Sequence, residues 1–294
     1  MTKGVLITAA VLAIAAPAAA APGGPFGAPQ PIDTVGGNHP DLNTSSLDGC
    51  PIQSPDGKEL FIASDRPGGH GGLDIWVATR ESSDEPWGKP ENLPAPINSA
   101  SADFCPTPLR GGKLLFVSRR SIDGVTCGLG DIYLARHDKK RGWHTPQHLD
   151  CAPTGPNSSL DEQGPSLIEV GDSTQLFFSS GTIGVPNVTP VQGDLFVSQN
   201  FGPASPVAEV NSPGNDIQPN VRKDGREMVF SSNHAYAGAR GAQDLYVSTR
   251  ESIGDPWSAP VNLGPDINTP AAESRPSLSW HADQLLFGGF ECRW

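Results

Sequence analysis

Positive charge and long apolar segments are what this sequence lacks most clearly. Its 294 residues carry 20 Lys and Arg against 32 Asp and Glu, a formal net charge of −12. A nucleic-acid partner would require a basic surface, so the composition argues against one. The longest apolar run, residues 5–16, is shorter than the roughly 20 residues that a membrane-spanning helix needs. The sequence thus predicts a protein that binds no nucleic acid and crosses no membrane.

Several short motifs of catalytic and metal sites are missing as well. There is no HExxH, GxSxG or CxxC, so nothing supports a zinc protease, a serine-hydrolase elbow or a redox dithiol. The turn at residues 54–58 also departs from the sialidase Asp-box, which needs an aromatic residue soon after its glycine. We therefore expect no cofactor, with calcium left open as an alternative because acidic residues recur along the chain.

The N-terminus has the composition of a secretory signal peptide. Lys3 provides the positive start, residues 5–16 the apolar core, and residues 18–20 the small side chains of a cleavage site. The first cysteine is Cys50, so no lipid anchor of the bacterial lipoprotein kind follows. We predict a signal peptide over residues 1–21 and a periplasmic or secreted bacterial protein without a membrane anchor.

One pattern, Asn-[Ser/Thr]-x3-[Asp/Glu]-x2-Pro, recurs five times at intervals of about 55 residues. Its copies begin at Asn43, Asn98, Asn157, Asn211 and Asn268. Its acidic positions are Asp48, Asp103, Glu162, Asp216 and Glu273. A fixed period of this length indicates a repeat architecture, in which each copy is one structural unit.

Each copy carries four strand signals. The first strand follows the proline and ends in a tight turn, and the second is apolar on both faces, as at residues 60–63. The third opens with an aspartate such as Asp74, and the fourth holds an aromatic residue and a proline. Four antiparallel strands covered on both faces by neighbouring units describe a propeller blade. The predicted fold is all-β: one five-bladed β-propeller domain over residues 22–294.

Closure of the ring can also be predicted. Residues 26–29 carry a fourth-strand signal with no blade in front of them, so the N-terminal segment should supply the outer strand of the last blade. No third-strand signal follows residues 285–289. The last blade is therefore expected to be incomplete, which favours a truncated C-terminus and predicts low stability from an exposed strand edge.

The repeat resembles the TolB-type, WD-repeat-like (PD-type) propeller repeats of bacterial exported proteins. The resemblance is carried by Pro51, the Ser54–Lys58 turn, Ser64 and Arg66, followed by Asp74-Ile75-Trp76, and it extends over about residues 26–290. It implies a β-propeller. It leaves the activity open, because such propellers include protein-binding modules, domains attached to peptidases, and sugar-acting lyases.

Strand direction brings the five acidic residues and the Gly-rich loops between second and third strands to one face, here called the loop face. The opposite face, which carries the turns after the first strands, is called the turn face. Because the acid recurs in every blade, we interpret it chiefly as structural, with calcium binding and catalysis as alternatives.

Residues that depart from the repeat are better candidates for binding. They are His70 and His234 in Gly-rich loops, Tyr236 beside the latter, and Gln218 and Arg275 before the repeat prolines. Together with the five acids they form the predicted binding set. Cys127 and Cys151 are predicted to form a disulfide, and a Cys50–Cys105 bridge depends on the separation of their Cα atoms.

Two functions remain open. The favoured one is an exported, non-catalytic, monomeric propeller that binds a protein or an envelope glycan through the loop face, since no catalytic constellation is recognisable. The alternative is a carbohydrate-active enzyme, a glycoside hydrolase or polysaccharide lyase, with its site at the mouth of the central channel. Two carboxylates about 5–10 Å apart in the channel would favour the enzyme.

Overall fold

The computed structural model describes residues 11–15, 26–122, 124–182 and 187–289. Their strands form five antiparallel sheets, each a blade of a propeller, as predicted. Blade one consists of Asp48–Gln53, Glu59–Ser64, Asp74–Thr79 and Glu91–Asn92. Blade two consists of Asp103–Leu109, Lys113–Ser118 and Asp131–Asp138, with Gly142–Trp143 and Gln147–His148 both pairing with its third strand. Blade three consists of Asp161–Val170, Ser173–Gly181, Asp194–Gln199 and Ala204–Pro206.

The remaining two blades complete the ring. Blade four consists of Asp216–Val221, Glu227–Ser232, Asp244–Thr249 and Val261–Asn262. Blade five consists of Glu273–Leu278, Leu285–Gly289, Val11–Ala15 and Gln30–Pro31. Two short 3-10 helices, Ile32–Thr34 and Pro40–Leu42, connect the N-terminal strands to blade one. No described helix is long and apolar enough to cross a membrane.

The second strands are buried on both faces because each blade packs against its neighbours. Phe61 of blade one, for example, shares a buried cluster with Leu114 and Phe116 of blade two. The apolar core therefore lies between the blades. This packing explains the lack of polar alternation in these strands.

Every first strand bulges just before its repeat proline. The residues at this position have left-handed backbone angles, with φ values between 46° and 58°: Cys50, Cys105, Gly164, Gln218 and Arg275. A residue before proline ordinarily stays extended, so the bulge is a distinctive local feature. It brings these five positions together around the central axis, where all five line one small cavity.

The repeat asparagine fastens each blade to the one before it. Asn98 accepts a hydrogen bond from the Ile75 backbone N–H (2.8 Å) and donates one to the Ile75 carbonyl (2.9 Å). Asn157, Asn211 and Asn268 bind the third strands of blades two, three and four in the same way. These contacts give the asparagine of the repeat its structural role.

The last blade differs from the expectation. Its outer strand comes from the N-terminal segment, as predicted, although it is formed by Gln30–Pro31. Its third-strand position is filled by Val11–Ala15, which pairs with Leu285–Gly289, so the prediction of an incomplete blade is corrected. Leu12 is buried there, and Asn43 exchanges the repeat's two hydrogen bonds with its backbone, at 2.7 and 3.2 Å. A leader-like apolar segment has the length and character of a buried strand, which is why the sequence did not distinguish the two roles.

Candidate functional site

The five recurring acids are buried and bound by groups of their own blades. Asp48 accepts hydrogen bonds from the backbone and hydroxyl of Thr44 and from Ser64, and it forms an ion pair with Arg66 at 2.7 Å. Asp103 repeats this arrangement with Ser99, Ser118 and Arg120. In these blades the carboxylate is thus occupied in holding the loop between blades to the first and second strands.

The acids of blades three to five lack an arginine partner among the described residues. Glu162 accepts hydrogen bonds from Ser158 and Ser180 through one oxygen, and its other oxygen is buried without a partner within the described part of the chain. Burial raises the pKa of Glu162 to about 7. Asp216 and Glu273 are held by Ser212 and Thr269, and burial also raises the pKa of Glu273. None of the three offers an exposed carboxylate to a ligand.

The predicted binding residues lie in separate places. His70 is exposed, and its backbone N–H donates to Asp74. His234 lies edge-on against Tyr236, with ring centroids 4.4 Å apart, and Tyr236 lies edge-on against Tyr246. Tyr236 also donates to the Val210 carbonyl at 3.3 Å. His234 and Tyr236 thus form a small aromatic group in blade four, away from Gln218 and Arg275 at the axis.

The central channel is nearly closed where the five bulged residues meet. A disulfide joins Cys50 to Cys105, with Cα atoms 4.9 Å apart. Burial lowers the pKa of Arg275, whose guanidinium approaches Gly49 so closely that a Cβ there would overlap it. The remaining cavity is about 30 Å³, room for a water molecule or two. A sugar cannot enter the channel in this form.

Cys127 and Cys151 lie in a disulfide with Cα atoms 5.4 Å apart. Next to it, Asp131 accepts from the Cys127 backbone and faces His148 at 2.9 Å. Cys127, Asp131 and His148 are the one group within the described residues with metal-ligand spacing. The Cys127 sulfur is bonded to Cys151, so it is no thiolate ligand. Calcium binding elsewhere stays a prediction.

A larger cavity opens on the turn face, between blades one and two. It has a volume of about 640 Å³, within the range of small-molecule sites. Its walls include Asp56, Glu59, Lys113, His137 and Trp143. The rings of His137 and Trp143 meet edge to face at 5.0 Å. Carboxylates, an imidazole and an indole therefore converge on one groove.

The pKa values of the two carboxyl groups in this groove, Asp56 and Glu59, are shifted in opposite directions. The Ser54 hydroxyl donates to Asp56 at 2.6 Å and lowers its pKa. Desolvation in the groove, with a further contribution from the charge of Asp56, raises the pKa of Glu59. Such a separation occurs in acid–base pairs, but the pKa values of the equivalent carboxyl groups in blade four, Asp224 and Glu227, are shifted in the same two directions. The accessibility of the two pairs is therefore what distinguishes them.

Blade four has the same two acids, but an arginine binds both. Asp224 and Glu227 occupy the positions of Asp56 and Glu59, and Arg222 pairs with them at 2.7 and 2.9 Å. In blade one the arginine is replaced by Ser54, and no ion pair forms with Asp56 or Glu59 among the described residues. The pair in blade one is therefore open to a ligand.

The sequence analysis missed this groove because it read residues 54–58 only as a turn. Two signals were present: Ser54 in place of the arginine of blade four, and His137 at the position where blades one and four have Arg80 and Arg250. Blade two extends its third strand to Asp138, and this extension carries His137 to the groove. Sequence alone does not show that the extension meets the turn of the preceding blade.

No protein-family model matches the chain, and no curated protein matches it. Solved propellers share its fold. The catalytic domain of a GH62 α-L-arabinofuranosidase from Coprinopsis cinerea aligns with a TM-score of 0.50 at 14% identity, over 84% of this chain and 85% of that chain. An α-L-arabinofuranosidase from Lactobacillus brevis aligns with a TM-score of 0.49 at 16% identity, over 78% of this chain and 81% of that chain. A TolB-type protein from Agrobacterium tumefaciens aligns with a TM-score of 0.49 at 15% identity, over 97% of this chain and 99% of that chain.

These likenesses concern the fold. They agree with the propeller that the TolB-type repeats implied, although no family model assigns the chain to that repeat family. The prediction of a non-catalytic binding protein is corrected, because the solved propellers with this fold include the catalytic domain of an arabinofuranosidase. The carbohydrate-active alternative is therefore taken up as a proposal below. The prediction considered candidate residues on the loop face alone, where the recurring acids are bound by groups of their own blades.

Proposed function

We propose that this protein is a carbohydrate-active enzyme of the glycoside hydrolase type, acting in the groove between blades one and two. The observation that carries the proposal is the unbridged Asp56–Glu59 pair, whose counterpart in blade four is neutralised by Arg222. Glycoside hydrolysis requires two carboxyl groups in different protonation states, one to donate a proton and one that is ionised. The groove supplies both.

The local environments assign the two roles. Glu59, with its raised pKa, is the proton donor to the glycosidic oxygen. Asp56, with its lowered pKa, stays ionised and acts at the anomeric carbon, either directly or through a water molecule that it deprotonates. The bond between the anomeric carbon and the leaving oxygen breaks, and water supplies the new hydroxyl of the product.

The other wall of the groove suits a sugar. Trp143 offers an aromatic surface of the kind that packs against the apolar face of a pyranose or furanose ring. His137 is held edge-on against this indole and can exchange hydrogen bonds with hydroxyl groups. The groove is lined by both blades, so a bound glycan would contact blade one through its acids and blade two through its rings.

The test is release of reducing ends from a panel of neutral and acidic polysaccharides, including arabinose-containing ones, by the purified full chain. We expect Glu59→Gln to lower the rate by about 10²–10⁴-fold, the usual contribution of a general acid, and Asp56→Asn to lower it similarly. Activity should have an acidic optimum, because it needs Asp56 ionised and Glu59 protonated. The rate should fall as pH rises through the raised pKa of Glu59.

The matched control is Glu227→Gln in blade four, which changes the same repeat position outside the groove and should leave the rate unchanged. Circular dichroism and thermal unfolding would show that each variant is folded. Absence of turnover on the whole panel by folded protein, or an undiminished rate in Glu59→Gln, would overturn the proposal.

A further inference from the structure

A second cavity adjoins the groove near the central axis of the turn face. It has a volume of about 270 Å³ and is lined by Leu109, Arg110, Leu167, Glu169, Lys223 and Trp280. Leu109 and Arg110 also line the larger groove. The two cavities are therefore neighbouring parts of one cleft.

The smaller cavity is built around an indole with two cations. The Arg110 guanidinium carbon lies 4.7 Å and the Lys223 ammonium nitrogen 5.1 Å from the centroid of the Trp280 ring. Trp280 stands in the turn of blade five where blade one has Pro55 and blade four has Lys223. This combination is thus peculiar to the cavity and is no part of the repeat.

The smaller cavity has two cations and one carboxylate in its walls, although the chain as a whole is acidic. Arg110 and Lys113 form no ion pair within the described residues, and Lys223 donates to the Leu167 carbonyl at 3.0 Å. Glu169 is the one carboxylate that lines the smaller cavity. Desolvation lowers the pKa of Lys223 to about 8, so the ammonium group would gain from an anionic partner.

We propose that the smaller cavity is a subsite for a negatively charged sugar unit, so that the substrate is an anionic glycan. The inference rests on the proposed function for the cleavage itself, but the subsite is a binding claim and can be tested separately. Arg110 and Lys223 would pair with a carboxylate or sulfate group, as arginine and lysine do with such anions. The edge or free surface of Trp280 would pack against the sugar ring.

The experiment is calorimetric titration of the Glu59→Gln protein, which should bind without cleaving. The probes are a uronate oligosaccharide, a sulfated oligosaccharide and a neutral oligosaccharide of the same length. We expect one of the anionic probes to bind at least about tenfold more tightly than the neutral one, the effect of a single charge-assisted hydrogen bond. The anionic probe that binds more tightly shows whether the subsite prefers a carboxylate or a sulfate group.

The subsite residues are tested in the same background. Arg110→Gln, at an exposed position, should remove most of the preference, and Lys223→Gln should do the same if the protein remains folded. Arg226→Gln changes an exposed arginine of the turn face outside both cavities and should leave the preference intact.

Equal binding of all three probes, or a preference that survives Arg110→Gln, would overturn the subsite. Cleavage of neutral glycans that depends on Glu59, without tighter anion binding, would leave the proposed function standing and refute the subsite alone. Tight anion binding that depends on Arg110, with no turnover of any glycan by the parent protein, would support the subsite and refute the proposed function.

Discussion

Blades one and two have two reinforcing contacts that blades three to five lack among the described residues. In the first pair a buried arginine neutralises each recurring acid, through Arg66–Asp48 and Arg120–Asp103, and a disulfide links the two first strands. In the other blades the acid relies on hydroxyl and backbone donors. Blade five is also assembled from both ends of the described chain. Blades with the same repeat pattern therefore differ in whether an ion pair and a disulfide are added to the hydrogen bonds of the recurring acid.

The difference shows how the repeated acid works. In all five blades, the Ser or Thr after the repeat asparagine donates hydrogen bonds to the acid through its backbone N–H and its hydroxyl group. The arginine partner occurs in blades one and two alone among the described residues. Burial raises the pKa of two acids that lack the arginine, Glu162 and Glu273. The groove proposed as the active site lies between the two reinforced blades, and a rigid frame favours precise positioning of catalytic groups.

The largest effect is expected from deleting residues 1–21, which removes the third strand of blade five. Leu12 would leave a buried position, Asn43 would lose both its backbone partners, and the edge of Leu285–Gly289 would be exposed. The loss should be several kcal/mol, a large part of the 5–15 kcal/mol that stabilises a typical domain. Thermal unfolding and limited proteolysis would measure it.

Deletion of residues 1–10 is the matched control, since it leaves Val11–Ala15 in place. If both deletions unfold at the same temperature, the strand contributes nothing. The result also bears on the predicted signal peptide, because residues 11–15 cannot be cleaved away and close the ring in the same molecule.

The next largest effect is expected from Arg120→Leu in blade two. It leaves the carboxylate of Asp103 buried without its countercharge, which typically costs about 3–5 kcal/mol. His234→Leu changes the equivalent position in blade four, where no side-chain bond to Asp216 exists among the described residues, and should cost far less. Urea unfolding midpoints compare the two. Equal losses would show that the arginine is not what distinguishes the blades.

A smaller effect is expected from Glu162→Gln in blade three, and this substitution should stabilise the fold where the two previous changes destabilise it. The folded pKa of Glu162 is about 7 against an ordinary value of 4.5, so the folded state holds its proton over a range where the unfolded chain has lost it. This group's contribution to stability therefore decreases as pH rises from 4.5 to 7 and is constant above. The cost amounts to about 3 kcal/mol, at 1.36 kcal/mol for each pKa unit.

The Gln variant removes that cost, so it should be more stable than the parent at pH 8 and nearly equal to it at pH 4. Asp103→Asn should destabilise at pH 8, because it breaks a buried ion pair. Chemical unfolding at the two pH values tests both variants. A parent and a Glu162→Gln protein with parallel pH profiles would show that the pKa of Glu162 is not raised in the folded state.

The sequence was most informative where signals are local and repeated. The proline spacing, the turns and the apolar second strands identified the blades, because each strand pairs mainly with the next one along the chain. The acid was expected to be structural for the same reason, and its partners lie within a few residues and in the second strand of its own blade. The partner of the asparagine lies farther away, in the third strand of the preceding blade.

It was least informative where distant segments meet. Val11–Ala15 looks like a leader by composition, and only its pairing with Leu285–Gly289 makes it a strand. The predicted site residues His70, His234 and Arg275 were chosen as departures from the repeat on the loop face. The structure places His70 in a loop of blade one, His234 in a loop of blade four and Arg275 at the axial cavity. Asp56 and Glu59 were overlooked because their turn matches the repeat.

The sequence by itself therefore determined the propeller and the number of blades, since periodic spacing specifies local pairing. Arg222 and its replacement by Ser54 can also be read from the sequence, but only the tertiary structure showed that Arg222 pairs with both acids of its turn and that the other pair lines a groove with residues of blade two. Asp56–Glu59 and Asp224–Glu227 have the same spacing in the chain, and they differ because Arg222 pairs with one and Ser54, His137 and Trp143 surround the other. The protonation and accessibility of a carboxyl group depend on the charges and surfaces packed around it, and these come from several blades at once.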